Sequence, residues 1–235
     1  MSRAPQTHGS RAVGRPRRAP SAVSAPTRLV TVLSPLLLAC ALWQLTAVIV
    51  RAARGVAFPG PADALARLLS LAGGTPILDH SIYRHVGDSI CRWAIGFGIA
   101  AICGLAFGLA AGWWRSLGRL TLPLVHMLQL IPGLAWIPVA LLIFGIGQKA
   151  TVFMIAMTAF SPIAISVVSG VQQVDETYLR AARMMAANGP ALFLRVLLPG
   201  ALPHILNGLR IGLGNGWRVL LAGEMVVGTG TGLGY

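Results

Sequence analysis

Acidic residues are scarce in this sequence: six Asp and Glu in 235 residues, against 19 Lys and Arg. Charge of either sign amounts to 11%, where a soluble globular domain carries roughly 25%, and this excludes an ordinary soluble fold. Catalytic groupings are equally sparse. Asp79, His80, His85 and Asp88 form the only cluster of His with acid. One helix would not gather all four on a single face, so neither a catalytic nor a metal site is expected. No Gly-Lys-Ser/Thr loop able to cradle a phosphate is present. The three cysteines, Cys40, Cys91 and Cys103, match no metal-binding spacing and read as reduced thiols at small core positions.

What the sequence does have is apolar length. Hydrophobic residues make up 55%, and the mean hydropathy is +0.73. A helix needs about 20 mostly apolar residues to cross the hydrocarbon core. Five stretches qualify: Val30–Val50, Ser89–Trp114, Leu120–Gly147, Ala150–Gly170 and Ile205–Val227. The expected fold class is an all-α integral membrane protein, a polytopic helix bundle. Residues 1–28, rich in Arg, Pro, Ser and Ala and free of acid, are expected to form a disordered basic N-terminus. Arg17-Arg18 lacks the hydrophobic continuation of a twin-arginine signal, and the apolar run that follows is long enough to span, so an uncleaved anchor is expected. The stretch Arg51–Asp88 reads as a connection on the bilayer surface, with a Phe58-Pro59-Gly60-Pro61 turn and a short amphipathic helix, Ala62–Leu71.

The net charge of +13 sits mostly before the first apolar run and in short connections, so it is topology information rather than a nucleic-acid footprint. An N-terminus on the inside puts Arg115, Arg119, Arg180, Arg183 and Arg195 inside. It leaves Arg51, Arg54, Arg67, Arg84 and Lys149 outside, offset by Asp63, Asp79 and Asp88. Small residues recur every fourth position at Gly96, Ala100, Gly104, Gly108 and Gly112, and again at Gly208, Gly212 and Gly216. Such ridges let backbones approach closely in lipid; they serve packing inside the bundle or a subunit interface. Pro123, Pro132 and Pro138 in the third span and Pro162 in the fourth loosen their helices locally, as along a solute path.

One polar insert interrupts the apolar sequence, Asp175 to Pro203. Asp175 can cap a first helix, and Glu176 with Arg180 makes an i,i+4 pair in the favourable order. Asn188-Gly189 can end that helix, and Pro190 suits the first turn of a second. Leu192, Phe193, Val196 and Leu197 then form one apolar stripe, until Pro199 and Pro203 break the run. An amphipathic hairpin this short must dock on the membrane surface or on another chain.

These residues resemble the cytoplasmic EAA motif of ABC-transporter permeases: E-A-A, three residues, G, nine residues, then I-x-L-P. Ala181 and Ala182 match the alanines, Ala186 falls at the glycine, and Val196-Leu197-Leu198-Pro199 at the terminal I-x-L-P, with the spacing preserved. Arg180 stands where the motif has glutamate. Four further stretches, Phe58–Ala72, Gln129–Gly147, Leu198–Trp217 and Ala222–Tyr235, are similar to the nitrate/sulfonate/taurine-type permeases of binding-protein-dependent importers. The resemblance runs from Val30 to Tyr235. It implies a transmembrane domain over residues 30–235 with a cytoplasmic coupling loop at 171–204. Coupling contacts would come from Ala181, Ala182, Ala186, Ala187, Asn188 and Gly189, with Leu198 and Pro199 setting the exit angle. It further implies a permease subunit for a small anion such as a sulfonate, taurine or nitrate. The partners would be separate ABC ATPase subunits, an extracytoplasmic solute-binding protein, a second permease copy and membrane lipid, in a bacterial-type inner membrane with the N-terminus cytoplasmic. No enzyme activity, cofactor or nucleic acid is implied. A sixth span would follow Tyr235, which makes the sequence a fragment by this reading.

Within the fifth span, Arg218 and Glu224 are candidate residues of the solute path, facing a cavity between two copies, where an arginine would attract an anion. Their six-residue spacing is a poor fit for an internal pair. Arg92 and Arg210 read as snorkelling anchors. A different class, an ATP-independent secondary transporter or channel, would show ionisable residues in several spans and an internal repeat. A membrane scaffold would not need the preserved insert spacing.

Overall fold

A computed structural model describes residues 25–55, 57–77 and 79–234, with side chains from residue 34 onward. The stretch 1–24, most of the expected disordered N-terminus, lies outside the described residues. The first helix, α1 (Ala25–Arg54), begins within that expected segment. The chain divides into two compact units, Met1–Ser70 and Leu71–Tyr235.

In the first unit, the C-terminal part of α1 and the turn Phe58–Pro61 are tied by polar contacts. Arg51 Nε donates to the Phe58 carbonyl at 2.9 Å, and Trp43 Nε1 donates to the Pro59 carbonyl at 3.2 Å. The Arg51 guanidinium pairs with Asp63 in the first turn of α2 (Pro61–Ala72). The Gly60 backbone N–H, followed by Arg51, holds the Asp63 carboxyl below the usual carboxylate range. The expected amphipathic helix is present here within one residue at either end.

The second unit is built around α6 (Gln148–Gln172), which lies between α3 (Ile82–Trp113) and α9 (Leu198–Val227). Both glycine ridges face it. Cβ atoms placed at Gly96, Gly104, Gly108 and Gly112 would fall 2.6–2.8 Å from Ile155, Ile163, Val167 and Val171. Each contact joins residues 59 positions apart, so α3 and α6 run parallel in one register. On the other side Gly208, Gly212 and Gly216 meet Ser166, Ile163 and Ile155 in the reverse order, which makes α9 antiparallel. The ridges therefore serve packing inside the chain, and the subunit-interface reading is replaced. The β-branched side chains of α6 need the space that a missing Cβ leaves on both neighbours.

Because α3 and α6 are parallel and both long enough to span, the segment between them must return across the same thickness. The sequence reads this as one span, Leu120–Gly147. It is instead a broken path: α4 (Arg115–Leu130), a 3₁₀ turn at Gly133–Trp136 and α5 (Ile137–Phe144), with a 99° bend. Pro132 causes the break. It has no N–H, and it pushes Ile131 into extended backbone at φ −75° and ψ 116°. By length and composition four helices can cross a membrane, or five if the bent pair counts as one. The cysteines Cys40, Cys91 and Cys103 are exposed rather than core; on α3 the glycine face, and not Cys91 or Cys103, points inward.

Candidate functional site

The polar insert folds as α7 (Glu176–Met184) and α8 (Gly189–Leu192), followed by one π turn at Phe193–Leu197 that feeds α9. Asp175 caps α7, accepting from the Thr177 N–H at 2.7 Å, and that bond holds its carboxyl below the usual range. Arg180 donates to Glu176 at 2.8 Å across one turn, which lowers the Glu176 carboxyl, and Arg115 lies 3.9 Å from its other oxygen. Between these groups, the C-terminal ends of α3 and α6 and the N-terminal end of α4 is a hollow of about 860 Å³ lined by Arg115, Arg119, Arg180 and Arg183.

Helix α7 stops four residues before the expected Asn188. Ala187 N–H bonds to the Ala182 carbonyl and Ala186 N–H to the Arg183 carbonyl, both at 3.0 Å. This is the paired closure that ends a helix with one left-handed residue, and the residue is Ala186, at φ 58°. The motif glycine thus has a backbone role at this position, and alanine fills it here at a steric cost.

Pro199 and Pro203 do not break the second helix, contrary to the sequence reading. The π turn widens the backbone, with Leu198 N–H reaching back to the Phe193 carbonyl. That opens space where the Pro199 ring would otherwise meet the carbonyl four residues earlier. Residues Gly189–Val227 form one continuous 39-residue helical run, so the loop and the final span are one rod. At the tip Ala181, Ala186, Asn188 and Gly189 are exposed, Ala187 is half-buried, and Ala182 faces into its own chain at 4% exposure. Leu198 is half-buried and Pro199 exposed. Met184 and Met185, at 88% and 78% exposed, are the apolar knobs of the tip; sequence reasoning missed them because neither belongs to the motif.

At the opposite end of the bundle a second polar constellation was not anticipated. Glu224 is fully buried. Its carboxylate pairs with Arg92 at 3.1 Å, and accepts from Ser89 Oγ at 2.7 Å and from the Gly234 N–H at 3.0 Å. Arg92, also buried, donates to the Thr231 carbonyl at 2.6 Å. Thr231 Oγ1 donates to Asp88 at 2.7 Å, the Gly232 N–H to His85 Nδ1 at 3.0 Å, and the Leu233 N–H to Ser89 Oγ at 2.9 Å. With Nδ1 accepting, the His85 proton sits on Nε2 and points to the Ile77 carbonyl at 3.2 Å. Glycines allow this wrap: a Cβ at Gly232 would stand 2.5 Å from the Glu224 carboxyl.

Arg92 is therefore an internal counter-ion and not a snorkelling anchor. Glu224 is enclosed within this chain, so of the two candidate path residues only Arg218 faces open space. The signal was present in the sequence: His85, Asp88, Ser89 and Arg92 are spaced i, i+3, i+4, i+7, one polar face on an apolar helix. No group of three or more His, Cys, Asp or Glu suited to a metal occurs among the described residues.

Comparison with known proteins follows the same lines. A family described as "Binding-protein-dependent transport system inner membrane component" matches residues 102–235. The chain is similar to the taurine transport system permease protein TauC of Escherichia coli, at 35% identity over 177 residues, 75% of this chain and 64% of that one. It is 38% identical over 158 residues to the bicarbonate transport system permease protein CmpB of Synechococcus elongatus, 67% of this chain and 57% of the relative. The nitrate import permease protein NrtB of Synechocystis is 36% identical over 163 residues, 69% and 58% of the two chains. The matched region thus spans less than two thirds of these relatives' lengths. Among solved structures, the inward-facing MetNI methionine ABC transporter superposes with a TM-score of 0.56 at 24% identity, over 65% of this chain and 76% of that one, a likeness of fold.

Proposed function

The chain belongs to the family of binding-protein-dependent transport system inner membrane components, and we propose that it is the permease subunit of an ATP-driven importer for a small anion. The observation that carries this reading is the exposed α7–α8 tip, continuous with a 39-residue helical run. A rod that begins in a docking tip and ends in the membrane can transmit a push on the tip to the helices packed along it. The relatives' names, for taurine, bicarbonate and nitrate import, support a small anion as the solute.

In this reading the N-terminus and the α7–α8 tip are cytoplasmic, and the Arg92–Glu224 cluster lies at the external end. Two separate ATPase subunits close on ATP, each engaging one tip through Ala181, Ala186, Ala187, Asn188 and Gly189, with Met184 and Met185 as apolar anchors. A second copy of this chain completes the path, and an external binding protein delivers solute. Ala182, Leu198 and Pro199 act from within the chain, fixing the tip's angle, and Arg218 lines the path. The basic lining of the hollow at Arg115, Arg119, Arg180 and Arg183 suits an acidic rim on the ATPase, in place of a contact by the motif glutamate.

Co-expression with an ABC ATPase subunit from the same organism tests the reading. The two should co-purify, and Ala186→Arg, which puts bulk and charge at the tip, should abolish the complex while the permease stays folded. A complex and transport undisturbed by Ala186→Arg would remove the coupling assignment.

A further inference from the structure

Where the bent path α4–α5 meets α6 and α9 lies a hollow of about 260 Å³. Its polar lining is Gln129, Thr158, Ser161, Asn215 and Arg218. Ser161 is 2% exposed, and its hydroxyl, like that of Thr158, has no hydrogen-bond partner among the described residues. Buried hydroxyls are normally satisfied, so two orphans bordering one cavity call for a ligand that accepts. Ser161 stands near the middle of α6 (Gln148–Gln172), about 17–20 Å from either end at 1.5 Å per residue. The hollow therefore sits at mid-depth of a spanning helix.

Arg218 has no counter-ion there. The sequence holds six acids, all among the described residues, and none pairs with Arg218. Glu224 pairs with Arg92, Asp63 with Arg51, and Glu176 with Arg180; Asp88 binds Thr231, Asp175 caps α7, and Asp79 lies in the turn before α3. Among the described residues the guanidinium's only hydrogen bond is a long 3.4 Å contact to Asn215. Arg218 is exposed on the open side of the hollow, and a guanidinium at membrane mid-depth is costly unless it meets water, a carbonyl or an anion. Gly133 forms a closely packed part of the hollow's wall. A Cβ there would lie 2.2 Å from Val219 and 3.0 Å from Thr158 Oγ1. Ligand pockets for drug-sized molecules run from about 300 to 1,000 Å³, so this one suits something smaller.

We propose that this hollow is a mid-depth binding site for a compact oxyanion, a carboxylate-, nitrate- or sulfonate-like group. The Arg218 guanidinium supplies the charge, while the hydroxyls of Ser161 and Thr158 and the amides of Gln129 and Asn215 donate to the anion's oxygens. The proposal rests on the permease reading and names where the solute pauses in its path. The break at Ile131-Pro132 is what brings Gln129 and Gly133 to the site, as discontinuous helices do at membrane depth.

The test uses the full chain in nanodiscs of phosphatidylcholine, whose zwitterionic headgroup carries no net charge and is the same in every arm. Bicarbonate and 2-aminoethanesulfonate are titrated against matched chloride, with intrinsic tryptophan fluorescence, to which Trp217 beside Arg218 contributes, as readout. Saturable binding is expected, weakened about tenfold or more by Arg218→Gln and about threefold by Ser161→Ala, as loss of a charged or a neutral hydrogen bond predicts. Arg218→Lys should bind nearer to wild type than Arg218→Gln, and Arg195→Gln, remote from the hollow, should match wild type. Absence of saturation with both anions, or equal binding by Arg218→Gln and wild type, overturns the site. ATPase co-purification separates the two readings. If the complex forms and anion binding fails, the site falls and the permease reading stands. If anion binding persists and no ATPase associates, the reverse holds.

Discussion

Neutralising Glu224 offers the sharpest test of how the bundle is held at one end. Glu224→Gln keeps the side chain's size but removes the charge facing Arg92 at 3.1 Å and turns an amide NH₂ toward a site filled by donors. Both partners are nearly sealed from water, at 3% and 0% side-chain exposure, so no solvent can replace the lost carboxylate. Arg92 is already under-satisfied, since its Nε and Nη1 have no partner. Breaking a buried pair by removing one member costs about 3–5 kcal/mol. The Gly234 N–H, at 3.0 Å from the carboxylate, would have to compete with Arg92 for the single amide oxygen. Replacing both charges, Arg92→Met with Glu224→Leu, should cost clearly less than either single change, because no buried charge is left unpaired. Equilibrium unfolding in mixed micelles measures the cycle, and hydrogen exchange at the Leu233 and Gly234 amides reports the loop directly. A Glu224→Gln protein within about 1 kcal/mol of wild type, with those amides still protected, would refute the argument. The pair would then behave as a solvated surface ion pair despite its burial.

Three further outcomes follow from local geometry. Gly108→Ala places a Cβ 2.6 Å from Val167 and 3.0 Å from the Ala164 carbonyl, which should destabilise by about 1–3 kcal/mol through overpacking; Gly98→Ala on the same helix meets nothing within 4 Å and should be neutral or mildly stabilising in the same thermal-melting assay. Ala186→Gly relieves a left-handed residue worth about 1–2 kcal/mol and gives back about 0.4–1 kcal/mol in chain entropy, so the α7 amides should exchange more slowly; faster exchange would contradict the closure at Ala186. Asp175 and Glu176 have carboxyls held below their ordinary range in the folded loop, so their stabilisation is complete above the ordinary carboxylate pKa and is lost as pH falls through the depressed values. The Thr177 amide should therefore stay protected at pH 5–7 and open only below about pH 4; opening near pH 6 would point to a different group.

Much of the architecture could be read from residue order alone, and where it failed the reason is consistent. Asp175, Glu176 with Arg180, and Pro190 work through neighbours within one turn, and each does what its local chemistry dictates. The four-residue repeats of glycine announced close helix packing, but a repeat says nothing about which helix fills it; α6 does so on both faces. Prolines announced irregularity without its form. Pro132 bends its path by 99°, while Pro199 is absorbed by a π turn, because the outcome depends on whether neighbouring backbone can open. The polar face at His85, Asp88, Ser89 and Arg92 was visible as a pattern, yet its partners lie more than 130 residues away.

By itself the sequence determined the class: apolar length with almost no acid leaves only a membrane bundle, and one spaced insert between spans marks the exposed tip proposed above as the docking element. Tertiary structure decided which charges are spent and which are free. Scarcity of carboxylates means each one can be followed to its partner, and that partner is set by folding at long range, where Coulomb energy in a dry interior is large and local propensity has no influence. Glu224 is consumed by Arg92, and Arg218 is left facing a hollow.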